Sequence, residues 1–320
     1  MSSTTLAPPR SAVLRAAGLR HRPALLTLLV VTAALALALL VHGWYVHDGL
    51  DRTGAAVCDR GADACHERLK QFLHGYGTSM QPVVMVLQVL GGSFGAFVGG
   101  PLLAREFEQG TVRFVWTQGA GRARWTAGSL VLTGGVLVVV ALLVGLLLRW
   151  WSAPLLLLDG RFSPSIFEQT WPALVGRVLL TFGAAALAGA VLRRTVAAVG
   201  VGLAVSVALP VVAESLRFHY RQPLEAAAHS MRAMAVDDRW IGEVWFSDPA
   251  GNRITTGSFY GLGDYGRLQS LLRDGGYTAH EMYQPADRFW QFQFIELGWM
   301  AALGVAACAA AVWWVRRRAF

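Results

Sequence analysis

Six separate stretches of this chain are apolar for about twenty residues each, and that limits the folds open to it more than anything else. They cover residues 24–42, 82–104, 128–148, 173–192, 196–213 and 292–315. At 1.5 Å per helical residue, about 20 residues cross a hydrocarbon core about 30 Å thick. Backbone amides have no water to bond within lipid, so the crossing segments are helices. The fourth and fifth stretches are separated only by Arg193-Arg194-Thr195, which fits two crossings joined by a tight basic turn. Hydrophobic residues make up 54% of the 320-residue chain and charged residues 15%, so its apolar surface could not be covered in water. The expected fold is an all-α polytopic membrane protein with six transmembrane helices. Disorder, a collagen-like repeat and a disulfide-rich secreted scaffold are excluded.

Arginine placement predicts the orientation. With the amino terminus inside, the short cytoplasmic pieces carry Arg10, Arg15, Arg20, Arg22, Arg105, Arg113, Arg122, Arg124, Arg193, Arg194 and Arg316–Arg318, against only Glu106 and Glu108. Short basic flanks face the cytoplasm. Both termini are therefore expected to be cytoplasmic, in the plasma membrane. The net charge of +8 reads as this asymmetry and not as a nucleic-acid footprint. The first apolar run is longer than the core of a secretory signal, so it is read as an uncleaved span. Residues 1–23 ahead of it fit a short helix on the inner membrane surface or a disordered basic tail.

This topology puts residues 43–81 and 214–291 outside. The second region is long enough for a small mixed module between the fifth and sixth helices. Strand-like runs at 241–246 and 253–256 flank a turn-rich Asp248-Pro249-Ala250-Gly251-Asn252, while 224–234 and 268–273 look helical. Cys58 and Cys65 would face an oxidising compartment, where they form a local disulfide or remain two thiols. Cys308 lies in the last span.

Most catalytic patterns present lack their context. Gly91-Gly92-Ser93-Phe94-Gly95 fits G-x-S-x-G, but it sits in an apolar helix. There, Gly91, Gly95 and Gly99 recur every fourth residue and allow another helix close approach. Gly261-Leu262-Gly263-Asp264-Tyr265-Gly266 fits G-x-G-x-x-G in a segment too short for a dinucleotide fold. His66-Glu67 and His280-Glu281 lack a second zinc-binding histidine, and no phosphate loop occurs. No cofactor and no enzymatic activity are expected. Within the spans, Arg177 and Glu296 each lie about four residues inside the outer end, and could form an ion pair between the fourth and sixth helices. Separate snorkelling to nearby headgroups is the alternative.

The loop at 105–127 holds the most information. Arg105, Glu106, Glu108 and Gln109 suggest a short polar helix stopped by Gly110, followed by Thr111, Arg113, Trp116 and Arg122-Ala123-Arg124-Trp125. Alone, this is an amphipathic surface loop or a grip for a cytoplasmic partner. The run R-E-x-E-x-G-T-x-R-x-x-W-T-Q followed by R-x-R-W resembles ABC-2-type permeases common in high-GC Gram-positive bacteria. The resemblance extends through Trp150-Trp151, Arg193-Arg194, Gln284-Pro285 and Arg288-Phe289-Trp290. It implies a permease subunit of an ATP-driven exporter, paired with a second permease copy or paralogue and with two cytoplasmic ATP-binding subunits. It also makes Arg105, Glu106, Glu108, Gly110, Thr111 and Arg113 the ATPase-coupling residues. Drugs, antibiotics and lipids are the substrate classes it suggests, with none singled out. The external 214–291 segment is longer than in better-known members. Two other readings stay open at this level: a receptor or resistance protein with an external binding module, and a stand-alone secondary carrier.

Overall fold

The computed structural model describes residues 10–58, 63–110, 121–157, 160–228, 240–254, 270 and 275–318. Among the described residues, six helices are long and apolar enough to cross a membrane. They are α1 (Arg10–Thr53), α3 (Met80–Glu108), α4 (Arg122–Trp151), α6 (Trp171–Leu192), α7 (Thr195–Arg217) and α8 (Phe289–Arg318). Two shorter helices intervene, α2 (Asp63–Gly75) and α5 (Pro164–Phe167). Between α7 and α8 the described residues form four strands: β1 (Leu224–Ala228), β2 (Trp240–Ser247), β3 (Arg253–Ile254) and β4 (Thr278–Gln284).

Helix α6 is the most enclosed, with 67% of its apolar window buried against 11% for α1. It packs on α3, α4, α7 and α8. Close approach follows from small residues. A Cβ at Gly95 or Gly99 would collide with the α6 backbone at Val178 and Phe182, and one at Gly304 of α8 would come 2.6 Å from Leu179 O. At Gly91 the nearest atoms to a Cβ are the tip of Leu174 and the Arg177 guanidinium. Ser93, in the G-x-S-x-G pattern, spends its hydroxyl on Val89 O at 2.7 Å as a helical residue.

Three expectations need correction. The amino-terminal segment is no separate surface helix from Arg10 onward. It continues into α1, since Ala, Leu and Arg favour helix and only Pro23 interrupts the bonding. The same helix runs past His42 to Thr53, where polar residues remain helical and Asp48 pairs with Arg52 at 2.7 Å. The charged run at 105–109 is the last turn of α3 and not a helix of its own. Gln109 caps it and Gly110 takes the left-handed conformation at φ 65° that ends helices. Leu224–Ala228 is a strand and not the start of a helix, because pairing along β4 overrides the helical preference of its alanines.

The sheet is antiparallel in the order β1-β4-β2-β3. Its inner face buries Phe246, Ala279 and Glu281. Gln284 clasps it to the bundle, donating from Nε2 to Phe218 O (3.0 Å) and Arg221 O (2.7 Å). Arg288 adds bonds to Gln222 O and Gln284 Oε1. The expected strand at 253–256 is described only at Arg253–Ile254. Residues 229–234, 261–266 and all of 268–273 except Ser270 lie outside the described residues. Cys58 and Cys65 are bridged, with Cα atoms 5.2 Å apart.

Candidate functional site

The bundle has two ends: one carries the sheet, and the other holds the α3–α4 and α6–α7 junctions. At the junction end, α3 delivers Arg105 and Glu108 to the surface but turns Glu106 inward. Glu106 accepts a hydrogen bond from Trp125 Nε1 at 3.2 Å and is 6% exposed, so it pins α3 to α4. Glu108 reaches the start of α7. Its Oε1 accepts from the Thr195 backbone N–H (2.8 Å) and its Oε2 from the Thr195 hydroxyl (2.7 Å). A helix start has unpaired N–H groups and a partial positive charge, and this carboxylate satisfies both. The tight turn before it needs Arg193 in the left-handed region at φ 55°, with its guanidinium 5.4 Å above Phe107. Gly110 sits at the exposed tip. Thr111 and Arg113 lie outside the described residues.

At the sheet end, two buried ion pairs lie side by side. Arg177 donates from NH1 to Glu168 Oε2 at 3.2 Å and from NH2 to Gln88 O at 2.9 Å. Arg217 donates from Nε to Glu296 Oε1 at 2.7 Å, and its guanidinium carbon lies 3.7 Å from the Phe167 ring centroid. The Arg177–Glu296 pair expected from depth alone is therefore replaced by two pairs with other partners. Glu168, in the α5–α6 connection, folds back over α6 and takes Arg177. Arg217, the last residue of α7, takes Glu296. Burial pushes the Glu168 carboxyl above its ordinary range, opposed by the Arg177 and Arg217 guanidiniums. Tyr220, which accepts from Trp299 Nε1 at 3.0 Å, is pushed up to about 12 by burial and by the Glu296 charge. Gln293 ties α8 to the start of α6, donating to Phe167 O (2.8 Å) and accepting from Ala173 N–H (3.1 Å).

Nearby, Trp151 Nε1 donates to His42 Nδ1 at 3.1 Å, which puts the imidazole proton on Nε2 facing Ser79 Oγ at 3.1 Å. His47 stacks on Trp150 with ring centroids 4.9 Å apart. Thus Trp150-Trp151 anchors α4 to α1.

The sheet carries one constellation with a catalytic outline. Ser247 Oγ lies 3.0 Å from His280 Nε2, and His280 Nδ1 lies 3.3 Å from Glu225 Oε1. Acyl transfer also needs N–H donors aimed at a developing oxyanion. Around Ser247 those donors are taken: Ala250 and Asn252 N–H bond Asp248 Oδ1, Gly251 N–H bonds Asp248 O, and Asp248 N–H bonds Asn252 O. The three residues form a cross-strand polar ladder, with His280 stacked on Trp245 at 3.8 Å. Among the described residues, no group of three or more His, Cys, Asp or Glu could hold a metal ion.

Six apolar helices packed in one bundle, with charged pairs buried at one end, define a multi-span membrane protein. Residues 29–217 match the model of the ABC-2 membrane transporter related family, and the chain belongs to that family. The match ends at Arg217, before the sheet and α8. No curated protein matches the chain, and no solved structure does.

Proposed function

We propose that this chain is the permease subunit of an ATP-binding-cassette exporter. It would form the translocation path, while two copies of a separate cytoplasmic subunit hydrolyse ATP and a second permease copy or paralogue completes the assembly. The observation that carries this reading is the junction end of the bundle. There the last turn of α3 exposes Arg105 and Gln109 while its Glu108 holds the first residue of α7. A partner pressing on this turn acts on α3 and α7 together. Closure of the ATPases would then become rearrangement of the spans by rigid-body movement. The arginine asymmetry supports the orientation, with the termini and α3–α4 junction cytoplasmic and the sheet and the Cys58–Cys65 bridge outside.

Of the coupling candidates, Arg105, Glu108 and Gly110 are exposed, whereas Glu106 supports the turn from within. The deciding experiment is co-purification of the tagged chain with an ATP-binding subunit from its native membrane, followed by ATP hydrolysis in the reconstituted pair. Arg105→Ala should weaken the association and the transport-stimulated hydrolysis while the permease still inserts. A charged hydrogen bond lost at a partner surface amounts to about 1.5–3 kcal/mol. A chain that purifies without any ATP-binding partner and is active alone would sink the proposal. Orientation has its own test: a membrane-impermeant thiol reagent should label Cys58 and Cys65 in intact cells only after reduction.

A further inference from the structure

Helix α1 carries two histidines in the half nearer the sheet end, and their bonds respond differently to a proton. His47 donates from Nε2 to Trp150 O at 3.1 Å. A carbonyl oxygen only accepts, so this bond forms with a neutral or a charged ring alike. His42 is placed otherwise. Ser79 spends its hydroxyl proton on Tyr76 O at 2.6 Å, which leaves its oxygen to accept from His42 Nε2–H at 3.1 Å. Trp151 Nε1 can only donate, and it delivers its N–H to the His42 Nδ1 lone pair at 3.1 Å. The direction of each bond from Trp151 through His42 and Ser79 to Tyr76 O is thereby fixed, and it requires a neutral imidazole. A second proton would sit on Nδ1, where two N–H groups would face each other.

The loss would fall on a buried group. Trp151 is fully buried, so water does not replace the lost acceptor, whereas His42 is only half-buried. The titratable groups around the ring are Tyr45, with centroids 6.4 Å apart, and His47 on α1, and Tyr76 from the α2–α3 connection. On α4, Arg149 lies over Trp290 of α8. Among the described residues no charged side chain acts on the His42 ring. Nothing there compensates a second proton.

The contact also matters to α1 as a whole. This helix packs mainly on α4, and a cavity of about 570 Å³ lies between its other half and α3. Near the sheet end the fit is close: a Cβ at Gly43 would come 2.5 Å from the Trp150 ring, and one at Gly49 would strike Tyr76. Trp150 and Trp151 thus grip α1 at His42, Gly43 and His47.

We infer that His42 is a proton-operated clamp between α1 and α4. Neutral, it holds Trp151. Charged, it lets Trp151 go while His47 keeps its bond, so α1 pivots about the Trp150 contact and its spacing from α3 changes. The clamp is complete in alkaline solution and is lost on acidification, because the released state accepts the extra proton and the clamped state does not. With the sheet outside, the signal is external acidity. No substrate and no ATPase enters this inference, so it stands or falls apart from the exporter reading.

The test uses the full chain in phosphatidylcholine discs, which expose both faces. Spin labels at Val41→Cys and Leu146→Cys, both on exposed positions, report the α1–α4 distance in a Cys308→Ala background. Cys58 and Cys65 are bridged and take no label. At about pH 8 the distances should form a single population. A second, longer population should grow toward about pH 5, by up to about tenfold per pH unit, the slope of one proton. His42→Gln offers an oxygen to Trp151 and an N–H to Ser79 yet cannot charge, and should keep the single population throughout. His47→Gln should respond as the parent does. Unchanged distances in the parent, or a His42→Gln that still opens on acidification, overturns the clamp. Loss of the response in His47→Gln would place the sensor there and overturn it too. If His42→Gln does not fold, Trp151→Phe decides. It removes the N–H that the charged ring opposes, so its distances should not depend on pH, and a response like the parent's overturns the assignment equally.

Discussion

Arg217 Nε lies 2.7 Å from Glu296 Oε1, and both side chains are sealed from solvent at 0% and 1% exposure. The remaining Arg217 nitrogens have no hydrogen-bond partner among the described residues, so the Glu296 bond, the Glu168 carboxylate nearby and the Phe167 ring carry the compensation for its buried charge. Removing one partner of such a pair typically costs about 3–5 kcal/mol, because the other is left charged and unpaired. Glu296→Gln should therefore lower the thermal unfolding midpoint in detergent sharply. The double variant Arg217→Met with Glu296→Leu should recover much of the loss. A single variant as stable as the parent would show the pair is not what holds α7 to α8.

Glu108 caps a helix from 87 residues away in sequence. Without it the first N–H of α7 loses its protein acceptor. Glu108→Ala should speed hydrogen exchange at the first amides of α7 while amides at its Arg217 end keep their protection. Uniform loss along α7 would mean that Glu108 supports the whole helix and not its start alone.

At Gly95, a methyl group would strike the α6 backbone at Val178 and Phe182, whereas a Cβ at Gly135 or Gly200 meets nothing within 4 Å. Gly95→Ala should reduce the folded yield and the melting temperature. Gly135→Ala and Gly200→Ala should be neutral or stabilising by about 0.5–1 kcal/mol, the usual helical gain over glycine. A neutral Gly95→Ala would show that α3 and α6 can move apart at this crossing.

Tyr220 gives a pH prediction of definite sign. Its phenol rises from an ordinary 10.0 to about 12, so the fold favours the protonated form. The resulting stabilisation is complete below the unfolded value and disappears as pH rises through about 12. In an alkaline titration followed by phenolate absorbance, Tyr220→Phe should remove a late-titrating component and leave the early ones. A Tyr220→Phe curve that loses an early component instead would contradict the assignment.

The spans were legible because apolar length is a local property, and the spacing of Gly95 and Gly99 marked a face that does approach another helix. The ends of α1 were not, since residues such as Asp48 and Arg52 leave the hydrophobic run without leaving the helix. The buried charges were half visible. Scanning the apolar stretches found Arg177 and Glu296 but passed over Glu168 and Arg217, which lie just beyond those stretches and enter the interior only through the folding of their connections. Glu106 and Glu108 are two residues apart and look alike in the sequence. Only the helix turn separates the one that faces Trp125 from the one that reaches Thr195.

Helix α7 joins two of these features in one rod. Its first residue, Thr195, is held by Glu108, and its last, Arg217, is held by Glu296. The 23 residues from the first to the last span about 33 Å at 1.5 Å per residue. Such a rod transmits push and pull along its axis even though Pro210 weakens it against bending. The α3 tip and the latch under the sheet therefore have a fixed separation, and a stroke delivered at one must be absorbed or released at the other.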